Sequence, residues 1–252
     1  MSKKWLYGKI APLFNFNMNH KFRIYNPISG IFVINKPKDW TSFDVVAKIR
    51  NKLNVKKVGH TGTLDPQATG VLVLCVGKAT QLVQKLIGFD KEYVCSITLG
   101  ATSNTDDLEG AIIPIPGASE VSISEIENIL KEFTGTFNQL PPDFSAKKIQ
   151  GKKAYELARK GKEVKLEPAK VTVHTIEMLD YKWPVLKLKI NCGKGFYVRS
   201  LARDLGKKLG VGGYLSELIR TKVGHFTIEQ SITIDQADEK TLLPLSAARV
   251  LK

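Results

Sequence analysis

The segment GHTGTLDPQATG, from Gly59 to Gly70, places one carboxylate, Asp65, among small and turn-forming residues. Its glycines permit backbone angles closed to other residues, and Pro66 fixes the residue after the acid. Such a loop can hold a side chain rigidly. An ionised carboxylate held in this way can act as a nucleophile or stabilise a developing positive charge. An isolated Asp-Pro pair is also typical of an ordinary turn, so the rest of the chain must decide between the two interpretations.

The composition indicates a polyanionic partner. The 252 residues include 38 Lys+Arg against 24 Asp+Glu, a formal net charge of +14. Nucleic acids and acidic membrane surfaces both fit this charge, but the sequence has no long apolar run and no basic amphipathic anchor. A soluble protein that binds nucleic acid rather than a membrane is therefore predicted.

Cysteine and histidine spacing predicts neither disulfides nor a metal site. The cysteines are far apart in strand-like runs and are interpreted as buried, reduced thiols of a cytoplasmic protein: Cys75, Cys95 and Cys192. The histidines show no ligand spacing with acids or cysteines: His20, His60, His174 and His225.

Residues 1–28 are basic and aromatic and lack the pattern of a secretory signal. They are interpreted as a loosely attached extension, for which organellar targeting is an alternative, and residues 29–252 as one domain.

The elements around the Asp65 loop predict its position between core strands and helices. Gly30–Asn35 predicts a strand, Thr41 or Ser42 can cap a helix to about Leu53, and Val71–Val76 predicts a buried strand. Further along, the patterns predict helices at 78–86, 122–133, 153–160 and 196–209, and strands at 92–98, 170–180 and 185–192. Because no regular βαβ rhythm is present, an α+β fold with a mainly antiparallel sheet flanked by helices is predicted.

Two other patterns could carry chemistry. Gly77-Lys78 suggests a phosphate-binding P-loop, but Ala79 stands where Ser or Thr is required. Asp106, Asp107 and Glu109 suggest a divalent cation site, but the alternating oxygen ligands of an EF-hand are missing. A structural turn is predicted for this acidic segment.

Four segments occur in a familiar order: GHTGTLDPQATGVL, KEYVCSITLGATSNTDDLEG, LPPDFSAKKIQGKKAYELARKG and GKGFYVRSLARDLG. In this order the chain resembles the bacterial tRNA pseudouridine-55 synthases, from about Gly30 to the mid-240s. The resemblance implies the pseudouridine synthase catalytic fold. It also implies isomerisation of one T-loop uridine of tRNA to pseudouridine, without a metal or organic cofactor. A monomer is expected by default, since the sequence does not fix the oligomeric state.

The resemblance assigns the reactive centre. Asp65 matches the catalytic aspartate of the family, and Arg199 matches the arginine that pairs with it and keeps it ionised. Tyr93 matches an active-site tyrosine whose ring would stack on the extracted uracil. By residue type alone, Tyr93 would be interpreted as a core-edge residue and Arg199 as a surface arginine.

Three further residues are assigned to substrate contact. Tyr197 matches an aromatic contact, and Leu218 matches an apolar wall of the uracil pocket. His60 resembles the histidine that fills the space left by a flipped base or steadies the extruded strand by stacking. It is therefore predicted to position RNA and not to carry a proton.

Because a stacked uridine is shielded, the reaction requires base flipping. Contact with the RNA backbone is predicted for a basic segment that could also be a solvated surface: Lys147, Lys148, Lys152, Lys153, Arg159, Lys160 and Lys162.

The alternative functions are a non-catalytic tRNA-binding or RNA-folding module, which the intact Asp65 disfavours, and a guide-RNA-dependent pseudouridylase. Bacterial members usually continue into an RNA-binding domain of the PUA type, which is expected to be absent here. By hypothesis, the basic N-terminal extension compensates for the RNA affinity that this domain would supply.

Overall fold

The computed structural model describes residues 28–145, 148–149, 152–153 and 166–249. The N-terminal extension lies outside these ranges up to residue 27. The predicted helix at 153–160 also lies outside them, except that Lys153 belongs to a short strand. Among the basic segment, Lys147, Arg159, Lys160 and Lys162 are likewise outside the described ranges.

The described residues form a mixed set of strands and helices. The strands are β1 (Gly30–Lys36), β2 (Val58–His60), β3 (Thr69–Val76), β4 (Lys91–Leu99), β5 (Ala101–Ser103), β6 (Ile112–Pro114), β7 (Gly135–Gln139), β8 (Lys148–Ile149), β9 (Lys152–Lys153), β10 (Ala169–Lys182), β11 (Val185–Cys192), β12 (Gly213–Val223) and β13 (Phe226–Thr227). The α-helices are α1 (Ser42–Lys52), α2 (Val83–Ile87), α3 (Ile123–Glu132) and α4 (Val198–Lys208). Short 3-10 helices lie at Gly77–Leu82, Ile228–Gln230, Glu239–Thr241 and Leu245–Ala248. None of the helices in the described ranges is long and apolar enough to cross a membrane.

One large sheet organises the fold, with strand order β1-β3-β12-β4-β11-β10-β7, while β2 pairs with β3 and β13 with β12. Every pairing in this sheet is antiparallel except that of β12 with β3, which is parallel. The predicted α+β fold with a mainly antiparallel sheet is confirmed. The parallel pair brings the C-terminal strand β12 beside the strand that follows the Asp65 loop.

Strand β3 is apolar from Val71 to Val76, and both of its faces are covered. Leu72 and Leu74 belong to the core beneath α1, α3 and α4, whereas Val71, Val73 and Cys75 belong to a second core on the opposite face. A strand buried on both sides loses the alternation of polar and apolar residues. All three cysteines are free and buried, as expected.

Local sequence signals determine where the helices begin. Thr41 caps α1, since its side chain accepts a hydrogen bond from the Asp44 amide and the Asp44 carboxylate accepts one from the Thr41 amide at 2.9 Å. Ser122 caps α3 by accepting a hydrogen bond from the Glu125 amide. The helical pattern predicted for residues 78–86 is divided between a 3-10 helix, Gly77–Leu82, and α2.

Gly206 allows α4 to pack against the backbone that leads into β12. A Cβ atom added there would lie 2.2 Å from the backbone nitrogen of Gly213. We expect Gly206→Ala to destabilise the fold by about 1–3 kcal/mol through overpacking, measured by urea unfolding. In a helix with free space at this position, the same change would raise the free energy of unfolding by about 1 kcal/mol. The sign of the change therefore shows whether Gly206 is tightly packed. Lys207→Ala, at an exposed neighbouring position, is the control and should have little effect. A stabilised Gly206→Ala protein would contradict the packing argument.

Candidate active site

The Asp65 loop runs between β2 and β3 and is pinned from several sides. The Ser42 hydroxyl, at the start of α1, donates to the Leu64 carbonyl oxygen at 3.0 Å and accepts from the Leu64 amide at 2.8 Å. The Lys36 ammonium donates to the Pro66 carbonyl oxygen at 3.1 Å, and it is fully buried. Burial lowers the pKa of Lys36 to about 8, although the nearby Asp65 favours its charged form. The loop is therefore held by its backbone, and its side chains are left for other contacts.

Arg220, on β12, holds both ends of the same loop. Its Nε donates to the Val71 carbonyl oxygen at 2.7 Å, and its Nη2 donates to the Gly62 carbonyl oxygen at 3.1 Å. At Gly70 the backbone has φ +98°, and an added Cβ would lie 2.3 Å from the Arg220 carbonyl oxygen. Only glycine fits this close approach of β3 and β12 without strain. The parallel strand pair thus fixes the geometry of the loop.

The side chain of Asp65 forms an ion pair with Arg199 in the first turn of α4, with Asp65 Oδ2 3.0 Å from Arg199 Nε. The guanidinium of Arg199 also donates to the Phe144 carbonyl oxygen at 3.0 Å and lies 3.5 Å from Asp107 Oδ2. The predicted pairing of Asp65 with Arg199 is present in the geometry. Because several acceptors hold the guanidinium, its Nε is fixed in position to hold the carboxylate.

Two opposing effects act on the Asp65 carboxyl group. Burial raises its pKa, and the Arg199 guanidinium opposes that rise by stabilising the carboxylate. Asp107 adds to the rise through charge repulsion, and Lys36 opposes it. Arg199 therefore favours the ionised form that the expected chemistry requires.

Five of the six predicted site residues line one cavity of about 230 Å³: Asp65, Tyr93, Tyr197, Arg199 and Leu218. Tyr93 lies on β4 and Leu218 on the neighbouring strand β12, so an aromatic and an aliphatic side chain reach the cavity from adjacent strands. Tyr197 precedes α4, where its amide donates to the Gln139 side chain at 2.9 Å and its carbonyl oxygen accepts from Gln139 at 3.0 Å. Burial raises the pKa of the Tyr93 hydroxyl, against the opposing effect of Arg220.

The sixth residue, His60, lines an adjoining cavity of about 570 Å³ that also contains Asp65 and Arg199. Its Nδ1 accepts a hydrogen bond from the Gly62 amide at 3.4 Å. Phe43, a largely exposed aromatic residue of α1, lines the same cavity. The ion pair of Asp65 and Arg199 therefore lies between two spaces, one walled by Tyr93 and Leu218 and one containing His60.

Several residues of the site were missed by the sequence patterns. Asp107 was interpreted as part of a turn, but its carboxylate contacts Arg199, and Asp106 pairs with Arg203 at 2.9 Å. Lys91 and Arg220 line the first cavity and had no assigned role. No group of three or more His, Cys, Asp or Glu residues suited to a metal ion occurs in the described part of the chain.

Comparison with protein families decides the assignment. The model of the "TruB family pseudouridylate synthase (N terminal domain)" matches residues 50–198. The chain belongs to the TruB family. A second family model, "tRNA pseudouridylate synthase B C-terminal domain", matches residues 199–244. Asp65 lies in the first matched region and Arg199 in the second, so the ion pair joins the two regions of this TruB-family protein.

Individual relatives agree with the TruB assignment. Proteins named tRNA pseudouridine synthase B from Clostridium tetani and Parabacteroides distasonis are each 44% identical over 215 residues. The alignments cover 85% and 83% of this chain, and 74% and 92% of those relatives. The predicted family and the isomerase class are confirmed.

A solved structure supports the fold. The structure described as "Crystal Structure of a Cbf5-Nop10-Gar1 Complex" superposes with a TM-score of 0.67 at 31% identity. The match covers 87% of this chain and 61% of the Cbf5-complex chain, so this chain spans less than two thirds of that protein. The predicted pseudouridine synthase fold is confirmed.

Proposed function

We propose that this protein converts the uridine at position 55, in the T loop of tRNA, to pseudouridine, with Asp65 as its catalytic residue. The observation that carries the proposal is the Asp65–Arg199 ion pair at a cavity walled by Tyr93 and Leu218. The substrate class follows the names of the relatives, and the position follows the motif resemblance. The charge of +14 is consistent with a tRNA ligand.

The reaction breaks the bond from uracil N1 to ribose C1′ and forms a bond from C5 to C1′. We favour initial cleavage assisted by Asp65, in which the bonding electron pair leaves with the base and the carboxylate stabilises or captures C1′. After the base turns, C5 attacks C1′, C5 loses its proton, and N1 gains one. Attack on the base and elimination to a glycal remain the competing pathways. The base is retained throughout, so a second carboxylic acid of the glycosidase type is not needed.

The uridine must leave the RNA stack to reach Asp65. Base flipping costs on the order of a few kcal/mol, which stacking and phosphate neutralisation can offset. In the proposed complex, the flipped uracil lies between the Tyr93 ring and Leu218. His60, in the adjoining cavity, supports the RNA on the other side of Asp65. Because phosphate contacts release counterions, affinity for tRNA should fall steeply with salt.

His60 provides a test of this arrangement. Loss of an aromatic stacking partner costs about 1–3 kcal/mol. We expect His60→Ala to raise KM about tenfold or more with a smaller change in kcat, whereas His60→Phe keeps the ring and stays within a few-fold of the original protein. Steady-state kinetics on a tRNA transcript measures both. Equal losses in the two variants would instead indicate that the imidazole itself takes part in the chemistry.

The function is tested by incubating the protein with an unmodified tRNA transcript and mapping pseudouridine by nucleotide position. We expect product at position 55 only. No product under single-turnover conditions would overturn the enzymatic assignment in favour of a tRNA-binding module. Product at other positions or only in other RNAs would overturn the proposed specificity.

A further inference from the structure

The inner part of the first cavity carries two buried cations whose charges the proposed mechanism does not use. Arg220 is 1% exposed and Lys91 is 7% exposed, and both line the cavity together with Asp65 and Tyr93. A Cβ atom added at Gly62 would lie 3.5 Å from Arg220 Nη1 and 4.0 Å from Lys91 Cε. The two cationic side chains are therefore neighbours behind the same stretch of loop.

Backbone carbonyl groups hold both cations. Lys91 Nζ donates to the Ile87 carbonyl oxygen at 2.6 Å, and Arg220 donates to those of Val71, Gly62 and Thr63. Among the carboxylates of the described ranges, none lies within 4.0 Å of either cation. In contrast, Arg199 has Asp65 and Asp107 beside it. Buried cations without carboxylate partners are costly, and carbonyl dipoles offset only part of that cost.

We propose that Lys91 and Arg220 form an anion-stabilising wall for the uracil base, and this inference rests on the proposed function. When the N1–C1′ bond breaks, its electron pair moves onto the base, where the negative charge is shared by N1, O2 and O4. Fixed cations in a water-poor cavity stabilise such a charge more than they stabilise the neutral base. When C5 attacks C1′, the charge leaves the base. Asp65 thus acts on the sugar side of the bond, and the cation wall acts on the base side.

Two further observations support the wall. Tyr93 and Arg220 are direct partners in the pairing of β4 with β12, so the proposed stacking ring and the guanidinium share one position of the sheet. Burial lowers the pKa of Lys91 to about 8, and the charge of Arg220 contributes to that lowering, in keeping with two neighbouring cations. Because both cations are buried, the base is favoured over a backbone phosphate as the anion they meet.

Lys91→Met is the principal test, because Arg220 also holds the loop and its loss could disturb folding. At saturating protein, we expect the single-turnover rate on a uridine transcript to fall about 100-fold, with tRNA affinity within a few-fold of the original protein. Lys91→Arg should recover much of the rate. Lys189→Met, at a partly exposed lysine of β11 that pairs with Glu92 at 3.4 Å, is the matched control and should stay within about twofold.

A transcript made with 5-fluorouridine separates this role from a structural one. Fluorine stabilises the uracil anion but leaves C5 without a proton to lose, so the readout is disappearance of the 5-fluorouridine nucleoside through N1–C1′ cleavage and C5–C1′ bond formation. Loss of Lys91 should slow that disappearance clearly less than it slows the conversion of uridine. Equal slowing of both substrates, or an unchanged rate for Lys91→Met on uridine, would overturn the inference. A variant that loses only affinity would indicate a phosphate contact and would also overturn it. An inactive original protein would count against the proposed function, and a melting curve reveals any loss of folding.

Discussion

Asp65→Asn should abolish pseudouridine formation while leaving tRNA binding within a few-fold of the original protein. The amide keeps the shape of the side chain and can still accept a hydrogen bond from Arg199, but it can neither attack C1′ nor stabilise positive charge there. We expect the single-turnover rate to fall on the order of 10³-fold or more. Chromatography of nuclease-digested tRNA measures the product, and a filter-binding titration measures the affinity.

Asp39→Asn is the matched control for the loss of one negative charge. Asp39 is exposed, its side chain accepts a hydrogen bond from Gln67 at 2.9 Å, and its φ of 65° is one that asparagine tolerates. This variant should keep nearly the full rate. A rate above about one tenth of normal for Asp65→Asn would show that the carboxylate charge is not essential, and another residue would then have to supply the chemistry.

Arg199→Met should have the second largest effect on the reaction rate, because Arg199 keeps Asp65 ionised and fixes the orientation of its carboxylate. Burial already raises the pKa of the Asp65 carboxyl, and Arg199 is the main group that opposes the rise. Without the guanidinium the pKa moves further up, so the carboxylate is protonated at a higher pH and activity is lost sooner as the pH falls. We expect a rate about 10²- to 10³-fold lower near neutral pH and an acid limb displaced to higher pH.

A pH–rate profile from pH 5 to 9 distinguishes this effect from simple destabilisation. Arg203→Met removes an arginine one turn further along α4, which pairs with Asp106 at 2.9 Å and lies outside the cavity lining. That variant can lower the melting temperature but should leave the acid limb in place. Arg199→Lys keeps the charge without the planar fork and should retain part of the rate. An acid limb that does not move in Arg199→Met would show that Arg199 does not tune Asp65.

The parts of the fold that could be predicted from sequence were those with local signals. Thr41 caps α1 and the run Val71–Val76 lies inside β3, because capping residues and apolar runs act over a few positions. The resemblance brought Asp65, Tyr93 and Arg199 together from distant segments, and the structure places them on one cavity. No local sequence pattern could predict that these three distant residues share a cavity.

The residues that the sequence patterns missed make their contacts with segments that are distant along the chain. Arg220 is one of two cations in β12, a strand without regular polar–apolar alternation, and its contacts with the Asp65 loop follow from the parallel pairing of β12 with β3. Asp107 lies between two turns, in an isolated bridge with Leu215, and only the packing of α4 brings Arg199 to its carboxylate. Lys36 and Lys91 look like exposed lysines in sequence, yet the fold buries both. For Lys36 and Arg220, which lie at or near the end of apolar runs, a charged residue close to apolar ones was the available signal, whereas Lys91 and Asp107 have charged neighbours and gave no such signal.

The hydrogen bonds from Arg220 to the Asp65 loop also determine the order in which the site can be assembled. They join positions 149, 157 and 158 residues apart along the chain. The loop leaves the ribosome early, whereas Arg220 emerges only after more than half of the remaining chain has been made. A nascent chain that ends before Gly213 lacks β12 and the side chain that holds the loop. Contacts of such long range form late in folding, so we expect Asp65 to take up its position between the two cavities among the last events of the maturation of this protein.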